Sequence, residues 1–391
     1  MTQTKLFTPI RLRELSARNR IMLSPMCQYQ AVDGFVTDWH HVHYGRFATG
    51  GIGTALLEST AVVPEGRITH GCTGIWSDGQ VDGLARIAER YRQNGVLSGL
   101  QLAHAGRRGS CRRPWDGAQP LTAGDDEQPY DLVAPSEVAE EAGSPCPRAL
   151  TLAEIDDLVD AYRTATQRSL AAGFDFVEVH GGHGYLLHQF LSGTANRRSD
   201  IYGGSLENRM RLPLRVSKAV REMWPQDKPV FFRMSATDYV EGSFGIDDAV
   251  MLAAKLKKLG IDVIDCSTGG MTGPSSTMRV WPGHQVEYAA RIRAETGSPT
   301  VAVGALIEPE HAEQILQSGA ADIIALGRQL LAEPHWGYRA ALALGHSDPS
   351  SVLPEYYGFY MRRRENALRP RPENEPALTD GTHELRWIRR A

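Results

Sequence analysis

The chain has 391 residues, of which 42% are hydrophobic and 23% charged, and its formal net charge at pH 7 is −4. These values are ordinary for a globular protein, and the small acidic excess argues against nucleic acid as a partner. The sequence has no run of about 18 apolar residues and no apolar stretch near its start, and its five cysteines are widely spaced, so we expect a cytoplasmic protein with no membrane contact.

Eight short apolar segments recur along the chain, and each ends in small or polar residues. They are 20–26, 54–62, 97–105, 175–182, 229–236, 262–270, 299–306 and 322–331. Near-continuous apolar runs are typical of strands that are buried on both faces of a parallel sheet. Helical patterns separate most of them; the one at 151–173 begins with a capping box, Thr151 and Glu154, and ends at Gly173. Eight alternating units predict a single (β/α)₈ TIM barrel of the α/β class.

Two stretches do not follow this repeat. Residues 106–150, rich in Gly, Pro, Asp and Arg, are predicted to form a loop excursion over the active face after the third strand. Residues 346–391 mix proline, charge and aromatic residues without a period, which indicates either a C-terminal arm on a neighbouring subunit or a disordered end. We therefore predict one barrel domain over 1–345 and an arm over 346–391.

Catalytic groups of TIM barrels lie at the carboxyl ends of the strands. The groups predicted there are mostly hydrogen-bond donors: Ser24-Pro25-Met26-Cys27, Thr60, Gln101, His104, His180, His183, Tyr185, Arg233 and Gly327-Arg328. Such a set suits an electron-rich, anionic ligand. The sequence has no Gly-Lys dipeptide, no G-x-G-x-x-G after a strand and no lysine at a strand end, which excludes a P-loop, a Rossmann site and Schiff-base chemistry.

A metal-dependent hydrolase is the first alternative. His41 and His43 have the His-x-His spacing of barrel metal sites, and His180 and His183 could add ligands. The spacing, however, predicts that His41 and His43 lie in the first helix rather than at a strand end, and no aspartate follows the eighth strand. We therefore expect no metal ion.

The motifs at these strand ends resemble those of the old yellow enzyme family, within it the xenobiotic-reductase and thermophilic-like ene-reductases. The resembling segments are 24–29, 38–43, 58–69, 74–78, 101–107, 172–192, 196–209, 232–239 and 327–336. The resemblance implies that FMN takes hydride from NADPH or NADH and passes it, in a ping-pong cycle, to the activated C=C bond of an α,β-unsaturated carbonyl or nitro compound. It also implies a homodimer or larger homo-oligomer.

The resemblance further assigns ten residues to FMN: Ser24, Pro25, Met26, Cys27, Thr60, Gln101, Arg233, Gly304, Gly327 and Arg328. Gly304, Gly327 and Arg328 would hold the phosphate. Arg233 would stabilise the negative charge that the flavin gains on reduction, and Gln101 would bind its pyrimidine edge. Thr60, through its hydroxyl or its backbone N–H, would bind the opposite edge.

Catalysis is assigned by the same resemblance to His180, His183, Tyr185 and Cys27. The two histidines would bind the substrate oxygen, and Tyr185 would donate a proton to the α-carbon, whereas Cys27 would tune the flavin potential. Substrate contacts are predicted for Tyr29 and Trp281, with Tyr360 and Arg363 supplied by a neighbouring subunit.

Two further functions remain as alternatives. An iron–sulfur flavoenzyme acting on dienoyl thioesters is disfavoured because no cysteine follows Cys266. A non-catalytic flavin-binding protein is also possible on this fold.

Overall fold

Eight parallel strands close into a barrel in the computed structural model, which describes residues 4–271 and 278–368. In chain order the strands are β1 (Ile10–Leu12), β2 (Leu15–Ala17), β3 (Ile21–Leu23), β4 (Thr54–Ala61), β5 (Leu97–Ala103), β6 (Val133–Ala134), β7 (Arg148–Ala149), β8 (Phe176–Gly181), β9 (Val230–Ser235), β10 (Val263–Ser267), β11 (Thr300–Ala302) and β12 (Ile323–Leu326). The barrel order is β3-β4-β5-β8-β9-β10-β11-β12, and β12 pairs with β3 to close it. The predicted TIM barrel is confirmed, with one barrel strand in each predicted segment.

Helices surround the barrel. They are α1 (Asp38–Ala48), α2 (Val81–Gln93), α3 (Leu152–Ala171), α4 (Leu186–Leu191), α5 (Leu206–Met223), α6 (Ile246–Lys258), α7 (Val286–Thr296), α8 (Pro309–Gln317), α9 (Arg328–Ala332), α10 (Trp336–Ala343) and α11 (Glu355–Leu368). Helix α3 begins at the predicted capping box, in which the hydroxyl of Thr151 accepts the N–H of Glu154 at 3.2 Å. Among the described residues, no helix is long and apolar enough to cross a membrane.

Two of the predicted strand segments are too long. Residues 322–331 contain both β12 and α9, and 299–306 contributes only Thr300–Ala302 to the barrel. The apolar pattern continues past these strand ends because the residues that follow also pack against the barrel, so hydrophobicity alone does not mark where a strand ends.

The barrel interior is apolar at one end and polar at the other. A cluster around Met22, Leu56 and the stacked rings of Phe176 and Phe231, whose centroids are 4.6 Å apart, fills the amino-terminal end. Leu12 of the β1–β2 hairpin packs against this cluster and closes the bottom. Functional groups can therefore project into the interior only at the carboxyl end.

The predicted excursion, 106–150, leaves the barrel after β5 and contains the two-stranded sheet of β6 and β7. Arg107 fixes it to the carboxyl face, since its guanidinium donates to the carbonyls of Val138 at 3.2 Å and Met271 at 3.2 Å. The arm predicted at 346–391 contains α11, and its positions 369–391 lie outside the described residues. The division into a barrel domain and an arm stays a prediction.

Candidate active site

Two adjoining cavities open at the carboxyl ends of the strands. The larger, about 570 Å³, lies beside β3, β11 and β12 and is called here the glycine-turn cavity; it is lined by Ser24, Met26, Gly304, Gly327, Arg328 and others. The smaller, about 220 Å³, is called the imidazole cavity and is lined by Pro25, Cys27, Tyr29, Ser59, Gln101, His180, His183, Tyr185 and Arg233. Arg233 contributes to both cavities and thus marks where they meet.

The glycine-turn cavity contains the guanidinium of Arg328 beside backbone that glycine residues leave accessible. Gly304 has φ +124°, and a Cβ there would lie 3.0 Å from Cε1 of His284, so the position suits glycine alone. The exposed guanidinium of Arg328 makes no hydrogen bond or ion pair within the described residues. A free guanidinium next to a turn without side chains suits a phosphate group, and this region of TIM barrels often binds one.

Arg233 is a buried cation whose partners are incomplete. Its Nη1 donates to the hydroxyl of Ser24 at 3.2 Å, and its Nε lies 3.5 Å from Oδ2 of Asp265 without forming a hydrogen bond. Burial raises the pKa of both Glu178 and Asp265, and the charge of Asp265 adds to the rise at Glu178. The positive charge of Arg233 opposes the rise at both carboxyl groups. The guanidinium of Arg233 therefore has N–H groups that can still donate to a ligand bound where the two cavities meet.

Gln101 is oriented by one of these carboxyl groups. Its Nε2 donates to Oε1 of Glu178 at 2.8 Å, which fixes the amide plane and turns its carbonyl oxygen away from Glu178. Glu178 itself lies in β8, in the apolar run that ends at His180. The amide can then offer a defined donor and acceptor pattern to a ligand edge.

The two histidines direct ring nitrogens at one point. Nε2 of His180 and Nδ1 of His183 are 3.4 Å apart, and Nε2 of His183 lies 2.6 Å from the hydroxyl of Ser267. If Ser267 donates to Nε2, the proton of His183 is on Nδ1, toward His180. Burial and then the charge of Arg233 lower the pKa of both imidazoles well below the usual value, so both are neutral donors at pH 7.

Tyr185 completes this cavity. Its ring centroid is 5.2 Å from that of His180, and the guanidinium of Arg108 lies 5.7 Å from its ring centroid. Burial raises the pKa of Tyr185, and the positive charge of Arg108 acts in the opposite direction. The phenol is therefore protonated at neutral pH, which a proton donor requires.

Contacts from outside the cavity hold the loop after β8, which carries His183 and Tyr185. Arg108 donates through Nη1 to the carbonyls of His183 at 2.6 Å and Gly270 at 2.9 Å. Below the loop, Nδ1 of His188 accepts the N–H of Gly184 at 2.9 Å, and its Nε2 lies 2.8 Å from Asp238. These contacts keep His183 at φ +57°, a strained value for a residue with a side chain.

Cys27 and Tyr29 also line the imidazole cavity. Burial raises the pKa of both groups; Cys27 adds to the rise at Tyr29, whereas Tyr29 opposes the rise at Cys27. Cys27 is therefore a neutral thiol, which suits a role in contact with a cofactor more than a role as a nucleophile.

Four predicted site residues line neither of the two cavities. The hydroxyl of Thr60 donates to the carbonyl of Glu58 at 2.9 Å and pairs with Thr73, so only the backbone alternative remains for this residue. Trp281 is 53% exposed and packs edge-on against His284 beside the glycine-turn cavity. Tyr360 and Arg363 lie on the exposed side of α11, where Arg363 contacts the ring of Phe359.

Sequence reasoning gave no role to five residues of this site: Ser59, Arg108, Glu178, Asp265 and Ser267. The roles of Glu178 and Asp265 could have been found, because a carboxylate inside a buried apolar strand is costly and demands a partner. Ser59 stands at the carboxyl end of its strand, but its role could not be found, since a register shift between Leu57 and Ser59 changes which side chains of β4 face the cavity.

A TIM barrel whose carboxyl face combines a free arginine beside glycine turns, a buried arginine and a pair of neutral imidazoles suits the class of oxidoreductases that bind a phosphorylated, electron-accepting cofactor. Residues 5–345 match the model of the NADH:flavin oxidoreductase / NADH oxidase family. The chain belongs to this family, in which the cofactor is FMN.

Individual relatives agree with this assignment. The chain is 41% identical over 355 residues to an NADPH dehydrogenase of Geobacillus sp. (strain WCH70), which covers 90% of this chain and 98% of the relative. Among solved structures it is similar to morphinone reductase (TM-score 0.72, 30% identity, 88% of this chain and 90% of that one). It is also similar to an old yellow enzyme homologue from Zymomonas mobilis (TM-score 0.70, 29% identity, 86% and 92%). The predicted resemblance to old yellow enzymes is confirmed, and the protein is an oxidoreductase.

The donors present fit FMN. Arg328, Gly304 and Gly327 offer a cation and open backbone for the phosphate, and Arg233 and Gln101 offer buried donors for the ring. Nε of Arg233 lacks a hydrogen-bond partner among the described residues, so this buried group has donor capacity that such a cofactor can use.

Proposed function

We propose that the protein is an ene-reductase that uses NADPH or NADH to reduce the activated C=C bond of α,β-unsaturated carbonyl or nitro compounds. When bound, FMN supplies hydride transfer between the nicotinamide and the substrate. The protein's own groups bind the substrate oxygen, orient the molecule and deliver a proton.

The convergence of two neutral imidazoles carries this proposal. Nε2 of His180 and Nδ1 of His183 lie 3.4 Å apart in a buried cavity, so one oxygen atom above them can accept from both. As hydride reaches the β-carbon, negative charge grows on that carbonyl or nitro oxygen. Donors fixed in advance stabilise this charge more strongly than they stabilise the neutral substrate.

Tyr185 is the proposed proton donor to the α-carbon. It lines the same small cavity as the two histidines, and its phenol keeps its proton at pH 7 because burial raises its pKa. Arg108, above the ring, stabilises the negative charge that remains on the phenol oxygen after proton transfer.

We infer the order of events from the size of the site. His180, His183, Tyr185 and Tyr29 line one cavity of about 220 Å³, which favours occupation by nicotinamide and then by substrate. This supports a ping-pong cycle. Tyr29, a predicted substrate contact, lines the same cavity. Trp281, Tyr360 and Arg363 could reach it only from a neighbouring subunit or after rearrangement. A homo-oligomer is therefore part of the proposal.

Replacement of Tyr185 by phenylalanine tests the proposal. Reduction of a cyclic enone by the pre-reduced enzyme should slow by about 10²- to 10⁴-fold, the usual contribution of a general acid. Reduction of the bound flavin by NADPH should keep its rate, because that step needs no proton from Tyr185. Stopped-flow absorbance of the flavin measures both half-reactions.

Tyr91→Phe is the matched control, since the hydroxyl of Tyr91 is buried in α2 and has no hydrogen-bond partner among the described residues. Equal slowing of both half-reactions in Tyr185→Phe would remove its role as the acid. A wild-type enzyme that consumes NADPH but reduces neither enones nor nitroalkenes would contradict the proposed substrate class, and one that consumes no NADPH would favour the non-catalytic alternative.

A further inference from the structure

Glu58 is a fully buried carboxyl group outside the cavities. It lies in β4 at the register shift between Leu57 and Ser59, where β4 has one more residue than its partner β5. Bulges of this kind leave the extra residue out of the ladder and redirect its side chain, and they are frequent beside active sites. The bulge therefore removes Glu58 from normal strand pairing.

Two neighbouring segments satisfy the polar groups of Glu58. The hydroxyl of Tyr44 in α1 donates to Oε1 at 3.0 Å and also accepts the backbone N–H of Glu58 at 2.9 Å. Oε2 accepts the backbone N–H of Gln28 at 2.8 Å. One carboxyl group thus connects the bulge, helix α1 and the loop after β3.

These contacts lie directly behind the cavity wall. Gln28 follows Cys27 in the chain, and Ser59 follows Glu58; both Cys27 and Ser59 line the imidazole cavity. The backbone of Ser59 also lies close enough to the thiol of Cys27 to oppose the burial-induced rise of the thiol's pKa. The position of Cys27 therefore depends on Glu58 from two sides.

No neighbouring charge neutralises Glu58 within the described residues that face it. The groups that face Glu58 from α1 are Tyr44 and His40. Nε2 of His40 is 3.5 Å from Oε1 of Glu58, and burial lowers the pKa of His40 to about 4. Cys27 and Tyr29 follow β3 and Cys72 follows β4, and burial raises the pKa of both thiols and of the Tyr29 phenol. All five groups are neutral at pH 7, so an ionised Glu58 places an unpaired negative charge behind the wall.

We propose that Glu58 is a positioning residue that holds Cys27 and Ser59 at the flavin and whose ionisation makes the bound FMN harder to reduce. Burial raises the pKa of Glu58 to about 7, while the N–H of Gln28 and the hydroxyl of Tyr44 oppose the rise. Its charge therefore changes within the physiological range of pH. The proposal requires FMN in the imidazole cavity and does not depend on the identity of the substrate.

The test is the reduction potential of the bound FMN, measured by equilibration with reference dyes from about pH 5.5 to 8.5, in the wild type and Glu58→Gln. Above Glu58's pKa the wild type has an extra negative charge, so Glu58→Gln should have the more positive potential. Below that pKa both side chains are neutral, and the two potentials should converge. Glu310→Gln, an exposed carboxylate in α8, is the control and should match the wild type at every pH.

Tyr44→Phe provides a second measurement. Removing the hydroxyl that stabilises the carboxylate should raise the pKa of Glu58, so the potential of Tyr44→Phe should approach that of Glu58→Gln over a wider range of pH. If the difference between wild type and Glu58→Gln is zero or constant with pH, the proposal is overturned. If the potentials behave as expected and enones are not reduced, the proposed function fails while this inference stands.

Discussion

At the scale of single residues, we expect the hydroxyl of Ser267 to determine which nitrogen of His183 donates to the substrate. If Ser267 donates across the 2.6 Å contact with Nε2, the imidazole proton is on Nδ1. In Ser267→Ala nothing opposes the other tautomer, in which Nδ1 of His183 no longer donates to the substrate oxygen. The affinity for a phenolate ligand should fall about fivefold, the equivalent of one hydrogen bond of about 1 kcal/mol.

Titration of the flavin absorbance with para-substituted phenols measures this affinity. Ser98→Ala is the matched control, because its hydroxyl is equally buried but lies at the start of β5, at the opposite end of the barrel. Wild-type affinity in Ser267→Ala would show that the tautomer is fixed by another group.

Single site residues were predictable where a reactive side chain directly follows a strand segment in the sequence. His180, His183 and Tyr185 were found because they follow a strand and match a family motif, and the structure brings them together in one cavity. Arg108 and Ser267 were not found, because their contacts with the loop depend on the packing of strands and loops that are distant in the chain. Such contacts leave no local pattern in a single sequence.

At the scale of elements, the loop after β8 is held in one conformation by close backbone contact. Gly184 has φ +75°, and a Cβ there would lie 1.9 Å from the carbonyl oxygen of Gly270. Gly184→Ala should therefore move this loop away from Gly270 and displace His183 and Tyr185. We expect a loss of about 1–3 kcal/mol in the free energy of unfolding from backbone strain alone, together with a large loss of ligand affinity.

Gly204→Ala separates backbone strain from the clash with Gly270. Gly204 has nearly the same φ, +76°, but none of the described atoms that could clash lies within 4 Å of an added Cβ. It should show the strain cost without the loss of affinity. Urea unfolding and phenol titration measure the two quantities. Equal affinity in both variants would mean that contact with Gly270 does not position the loop.

Elements were predicted better than their ends. The amphipathic pattern and capping box located α3, but the sequence did not reveal the bulge at Glu58 or the change from β12 to α9. Bulges and short turns are set by contacts across strands, and they change the alternation of side chains that a single-strand pattern assumes. The resemblance assigned Thr60 to the cofactor, whereas it is the side chain of Ser59 that faces the cavity.

At the scale of the whole molecule, the glycine-turn cavity joins the two ends of the chain's barrel. Its lining includes the end of β3 and the segments after β11 and β12, and β3 meets β12 only where the barrel closes. A ligand bound there stabilises the closed barrel and not the unfolded chain, so it should raise the midpoint of thermal unfolding. Removal of FMN should therefore lower that midpoint, and added FMN should restore it.

Riboflavin, which lacks the phosphate, isolates the contribution of this cavity. At concentrations 100-fold above its dissociation constant a ligand contributes about 2.7 kcal/mol, and the weaker binding of riboflavin should give a smaller rise at equal concentration. Arg328→Ala should reduce the effect of FMN toward that of riboflavin and leave the effect of riboflavin unchanged, whereas Arg86→Ala, an exposed arginine in α2, should alter neither. Thermal unfolding of the apoprotein with each flavin measures this. An unchanged FMN effect in Arg328→Ala would place the phosphate elsewhere on the barrel.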